Sequence, residues 1–160
     1  MKETEEKKTI EPLTLKSLLA LIEASAGTTM FRHLYAEVDG VEQDILEDGN
    51  LSCAFYVSGV LAIFGLIDRL HTTVSGTVTA LEKAGWQKTD NLKPGCVIVW
   101  DKPRDNSHNH QHIGFYLGDE TAIANSTEKK VIAKNHYTYG GEEQSSQRQI
   151  LAIYNHPSLS

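Results

Sequence analysis

The chain has 160 residues, a length that suits one domain able to bury roughly 70% of its unfolded surface without covalent or metal support. Hydrophobic residues make up 40% and charged residues 22%, the formal net charge is −6, and no basic stripe is present. That balance excludes a nucleic-acid footprint and a surface held by charge to anionic membranes.

The opening run from Met1 to Lys8 is charged and has no apolar leader behind it. Residues 1–11 therefore read as a polar tail, and 12–160 as the folded domain. The longest apolar stretch, from Ala54 to Ile67, is shorter than the roughly 20 residues of a membrane span. As written the chain is expected in the cytoplasm, unless a leader has been removed or export takes another route. Pro12 precedes Leu13, Leu15, Leu18, Leu19, Leu21 and Ile22, whose spacing predicts an amphipathic helix ending near Gly27. A second, shorter helix is expected from Phe31 to Val38, followed by turn signals at Asp39-Gly40 and Glu47-Asp48-Gly49-Asn50.

Residues 52–67 are apolar nearly all round and predict a buried central helix, capped by Asn50 or Ser52. A further helix is expected from Val74 to Ala84, with Thr72 or Thr73 as its cap and Gly85 as its stop. Past the turn Lys93-Pro94-Gly95 the pattern becomes that of strands: Cys96–Trp100, His112–Leu117, Thr121–Asn125, Lys130–Lys134 and Gln149–Tyr154. Helices first and strands later predict an α+β fold with an antiparallel sheet.

Three residues in this frame carry chemistry. Cys53 opens the central helix, where unpaired backbone N–H groups favour a thiolate and can hold an oxyanion. His112 begins a strand, on the face opposite Ile113, Phe115 and Leu117, with Gly114 clearing space beside it. Asn125 lies thirteen positions further on, within reach of a strand-turn-strand return, and Ser126 is its rival as the group that orients the imidazole. Thiol, imidazole and polar side chain together point to a cysteine hydrolase, which needs no cofactor. Two cysteines, Cys53 and Cys96, are too few for a disulfide framework and lack CxxC spacing, and pairing them would consume the nucleophile. A rival reading uses His108, His110 and His112, whose alternate spacing on an extended segment would make a three-histidine zinc site. A binding module that keeps the fold without the chemistry is the other alternative. Trp86, Trp100 and Tyr56 read as core or rim aromatics.

The order of these residues, on a helix followed by an antiparallel sheet, resembles the NlpC-type papain-like cysteine peptidases, with the CHAP amidases as relatives. In that superfamily the nucleophile sits in an Asp-Cys-Ser-Gly-Phe-Val type motif, matched here by Ser52-Cys53-Ala54-Phe55-Tyr56-Val57. The turn commonly written Pro-Gly-Asp-Val-Val is matched by Pro94-Gly95-Cys96-Val97-Ile98, and His-Val-Gly-Ile-Tyr-Ile-Gly by His112 to Gly118. Ser52 and Cys96 stand where acids are usual, and no Tyr-x-x-Gly-Gly precedes the cysteine. The resemblance spans roughly residues 45 to 155 and implies a papain-like fold. It further implies Cys53 as nucleophile, His112 as base and Asn125 as orienting residue, acting on a peptide or a peptidoglycan fragment.

Overall fold

The computed structural model of the chain describes residues 7–107, 109–140 and 147–159. Helix α1, Thr14–Ser25, presents Leu18 and Ile22 to the interior, as the leucine spacing requires. The segment expected as a second helix, Phe31 to Val38, instead ends in strand β1 (Tyr35–Val38), which forms a hairpin with β2 (Val41–Asp44), paired Tyr35 to Asp44 and Val38 to Val41. Asp39 and Gly40 take φ of 51° and 81°, the left-handed pair that closes a two-residue hairpin turn. That turn overrides the weak helical spacing around it.

Helix α2 runs Cys53–Ile63 and ends earlier than its apolar run suggests, with Gly65 at φ 64° turning the chain away. Helix α3, Val74–Lys83, is capped by Thr73, whose side chain accepts from the Gly76 N–H at 3.0 Å, and it stops ahead of Gly85. Ser52 occupies the N-cap position of α2 but makes no capping bond, because its own backbone is helical rather than extended.

The remaining strands are β3 (Gln87–Lys88), β4 (Val97–Pro103), β5 (His112–Gly118), β6 (Thr121–Ser126), β7 (Val131–His136) and β8 (Arg148–Asn155). They form one antiparallel sheet in the order β3-β8-β4-β5-β6-β7. The α+β class is as expected; the short β3 and the β1–β2 hairpin were not anticipated.

Both faces of the sheet are packed. On one, Val97, Val99, Ile113, Phe115, Ile123 and Ile132 meet α1 and α2, and α2 lies across β5 and β6. Tyr56 is fully buried there, edge-on to Phe115, with its hydroxyl on Ser25 at 2.8 Å. On the other, Cys96, Ile98, Trp100, Ala122 and Ala124 are covered by Tyr116, Tyr137, Tyr139, Ile150 and Ile153. Trp86 is buried in the first layer, donating to the Leu66 carbonyl at 2.7 Å. Among the described residues no helix is long and apolar enough to cross a membrane.

Candidate active site

Cys53 is the first residue of α2, and α2 packs on β5 and β6. Burial pushes the Cys53 thiol above its ordinary value, opposed by the backbone N–H groups of Ile113, Ala54 and Cys53 and by the positive charge of Arg148. The Ile113 N–H that acts on the thiol belongs to the residue that follows His112, near the start of β5. Cys96, on the other side of the sheet, has no exposure, and burial pushes its thiol up to about 11.

His112 is buried to 6% exposure and belongs to the Trp100 face of the sheet, opposite Trp100 in the β4–β5 register. Trp100 stacks at a tilt on its ring, 5.6 Å between centroids. The hydroxyl of Tyr139, from the segment after β7, is hydrogen-bonded to His112 Nε2 at 2.9 Å. Gly114 makes this face possible. A Cβ there would stand 2.6 Å from the Ile123 carbonyl oxygen and 2.7 Å from the Ala124 Cβ.

Asn125 takes a different position from the one its spacing suggests. Phe115 pairs with Ile123 and Tyr116 with Ala122, and continuing that register sets Asn125 opposite Ile113, on the helix side of the sheet. Its Nδ2 donates to the Gly49 carbonyl at 2.8 Å, in the loop that delivers Cys53. His112 is on the other side, with Tyr139 at its Nε2. Strand parity separates the two. Ser126 returns to the parity of His112 and lines the cleft; its hydroxyl accepts from the Lys129 N–H.

The loop ahead of the nucleophile is heavily tethered. Glu47, Asp48 and Gly49 have φ of 52°, 56° and 86°, three left-handed residues in a row. Asp44 accepts from the N–H groups of Leu34, Leu46 and Asp48 and bonds His33 Nδ1 at 2.7 Å. Burial raises the Asp44 carboxyl, but these hydrogen bonds outweigh it and hold the group well below the usual carboxylate range. Asp48 is held down likewise, by Arg32 and Lys130, each at 2.6 Å.

Arg148, at the start of β8, was not anticipated as a site residue. It is 8% exposed and donates from Nη1 to the carbonyls of Asp101 (2.9 Å) and His110 (3.2 Å). Its guanidinium lies 5.5 Å from the centre of the Tyr139 ring. Burial lowers its pKa, while Tyr139, Cys53, Asp101 and Asp105 pull it back up.

Cys53, His112, Asn125, Tyr139 and Arg148 all line one cleft of about 910 Å³, open to solvent between the α2 start and the loop after β4. His110 lines it too, while His108 lies outside the described residues. Among the described residues, no group of three or more His, Cys, Asp or Glu side chains is gathered as a metal ion requires. The arrangement has a thiol at a helix start, backbone N–H groups and a cation acting on it, and a strand-borne imidazole lining the same cleft. Such a set can form a thiolate and hold an oxyanion.

Among solved structures, the chain is similar in fold to NlpC2 from Trichomonas vaginalis, with TM-score 0.54 and 14% sequence identity. The match covers 96% of this chain and 52% of that one, so the chain spans about half the length of that neighbour. No family model and no curated protein matches the sequence.

Proposed function

We propose that the protein is a cysteine hydrolase on an NlpC-like, papain-type fold, cleaving a peptide or amide bond with Cys53 as nucleophile and His112 as base. The observation that carries this reading is that Cys53, first residue of α2, and His112, first residue of β5, line the same cleft. The fold likeness to NlpC2 supports the class. In this scheme His112 takes the thiol proton and the Cys53 thiolate attacks the carbonyl carbon. The C–N bond breaks as His112 protonates the leaving amine, and water, deprotonated by His112, then hydrolyses the thioester. Backbone N–H groups at the α2 start hold the oxyanion. The expected orienting residue, Asn125, serves here by fixing the loop ahead of the nucleophile. Short bacterial cell-wall peptides are the substrate class to screen first.

One observation favours a second reading, a non-catalytic binding module: burial drives the Cys53 thiol toward its neutral form. The pH dependence of iodoacetamide labelling at Cys53, in the parent and in His112→Ala, separates the two. Labelling that persists well below the ordinary thiol pKa of about 8.5 and weakens without His112 marks an activated pair. Labelling that rises only above that value and ignores His112 leaves the binding module. A Cys53→Ala protein that cleaves a found substrate as fast as the parent would end the hydrolase reading.

A further inference from the structure

We infer that Tyr139 is the positioning residue of the catalytic histidine: its hydroxyl accepts the Nε2–H of His112 and leaves Nδ1 as the basic nitrogen for the Cys53 thiol. This rests on the hydrolase reading above. A base on an imidazole must have its lone pair at one nitrogen, so the other nitrogen needs a fixed acceptor for its proton. Asn125 is bonded to Gly49 on the helix side of the sheet, whereas Tyr139 Oη sits 2.9 Å from Nε2. On β6, Ser126 and Ala124 share the parity of His112; the Ser126 hydroxyl is engaged by the Lys129 N–H, and Ala124 packs against Gly114.

Tyr139 is itself held from several directions. Trp100 meets it edge-on at 5.1 Å and donates its Nε1–H to the Tyr137 carbonyl at 2.7 Å. The Arg148 N–H bonds the Thr138 carbonyl at 2.9 Å, and the Arg148 guanidinium sits against the Tyr139 ring. Tyr139 adopts φ 60°, a left-handed backbone that a tyrosine rarely takes, and such strain persists only where the surroundings impose it. A phenol is a weaker acceptor than a carboxylate, and it is neutral at physiological pH, with burial raising its pKa further. It therefore fixes the tautomer without adding an anion beside the imidazole. When Cys53 gives up its proton, the S–H bond breaks, an Nδ1–H bond forms, and the Nε2–H to Tyr139 persists through both states. Among the described residues, the charged or titratable groups lining the cleft with the pair are Cys53, Arg148, Asp105, His110, Glu47 and Glu128, with Asp101 acting on Arg148.

The test is long-range proton–nitrogen NMR of the histidine rings in the full chain, with His112 identified by loss of its signals in His112→Ala. It is joined to the pH profile of Cys53 alkylation in the parent and in Tyr139→Phe. A parent His112 with its proton on Nε2, a mixed tautomer in Tyr139→Phe and alkylation near neutral pH about tenfold slower support the assignment, since one hydrogen bond to a charged group is removed while the ring remains. A parent proton on Nδ1, which needs no variant to observe, overturns it. So does a Tyr139→Phe protein with unchanged tautomer and unchanged profile. If His112→Ala alkylates like the parent, the hydrolase reading fails, and the tautomer measurement still decides whether Tyr139 orients the ring.

Discussion

Asn125 on β6 reaches the Gly49 carbonyl with its side-chain amide, a bond of 2.8 Å between residues far apart in sequence. It ties the sheet to the loop that aims the nucleophile, beside Glu47 and Asp48, two non-glycine residues held at left-handed φ. Removing it should loosen the aim of Cys53 without touching the proton chemistry. Asn125→Ala is expected to cost about 1–3 kcal/mol, since the buried Gly49 carbonyl loses its partner. Urea unfolding reads that loss. Cys53 alkylation should slow by a similar factor across the whole pH range, with its midpoint unmoved; a shifted midpoint would return Asn125 to an orienting role.

How far the site was legible from sequence follows from the range of each contact. Cys53 and His112 declare themselves locally, one at the head of an apolar helix and the other at the head of a strand with a glycine two places on. Spacing, an amide's capacity to accept from imidazole and the Cys-His-polar order of the resemblance all point Asn125 toward His112, whereas the pairing of Phe115 with Ile123 sets it on the other face. Tyr139 lies outside any strand and meets His112 only after the sheet has formed, and nothing in a polar stretch marks it as an acceptor. Arg148 is a charged residue at the start of a strand, where exposure is the ordinary outcome. The β1–β2 hairpin hid because Tyr35 and Val41 are exposed, so neither strand shows an apolar face, although its Asp39-Gly40 turn was visible.

The carboxylates of the nucleophile loop set the acid limit of the fold. Asp44 and Asp48 are both held below their ordinary range, so they contribute stability above the unfolded carboxylate pKa of about 3.9 and lose it as pH falls through their folded values. Thermal melts should therefore decline steeply below about pH 4. In the Asp44→Asn protein the melting temperature should start lower at neutral pH and fall less on acidification. Equal slopes in parent and variant would show that other carboxylates control the acid transition.

Ser52 makes the opposite prediction from most buried polar residues. It has no exposure, and its hydroxyl has no hydrogen-bond partner among the described residues. The Ser52→Ala change removes a desolvated donor that gains nothing in return, so stability should hold or rise by up to about 1 kcal/mol. Denaturant titration checks this. A loss above about 1 kcal/mol would mean that the hydroxyl has a partner in solution, and an ordered water beneath the α2 start would be the first to seek.

Gly114 is where packing beneath the histidine leaves no room. A methyl group there meets backbone at Ile123 and the Ala124 side chain, and Trp100 Cζ3 at 3.1 Å. Gly114→Ala must push β5 from β6 or displace Trp100, at about 1–3 kcal/mol. Because Trp100 carries both His112 and Tyr139, the change should slow Cys53 alkylation as well as lower the melting temperature. An intact alkylation rate in a destabilised protein would show that the His112 face moves as a unit.

Arg148 separates the electrostatic from the structural part of the site. Its charge lowers the Cys53 thiol against the upward push of burial, while its Nη1 satisfies two carbonyls. Arg148→Met removes both, so the melting temperature should fall and the alkylation midpoint should move to higher pH, because a group that favours thiolate is gone. Arg148→Lys keeps the charge but not the fork, so it should share the stability loss of about 1–3 kcal/mol while holding the midpoint near that of the parent. The pair is read by comparing two quantities, the thermal midpoint and the pH midpoint of labelling, with fully buried Cys96 as the unlabelled reference in every folded sample. If both variants shift the labelling midpoint equally, Arg148 acts on Cys53 through the position of Tyr139 and the His110 carbonyl rather than through its charge.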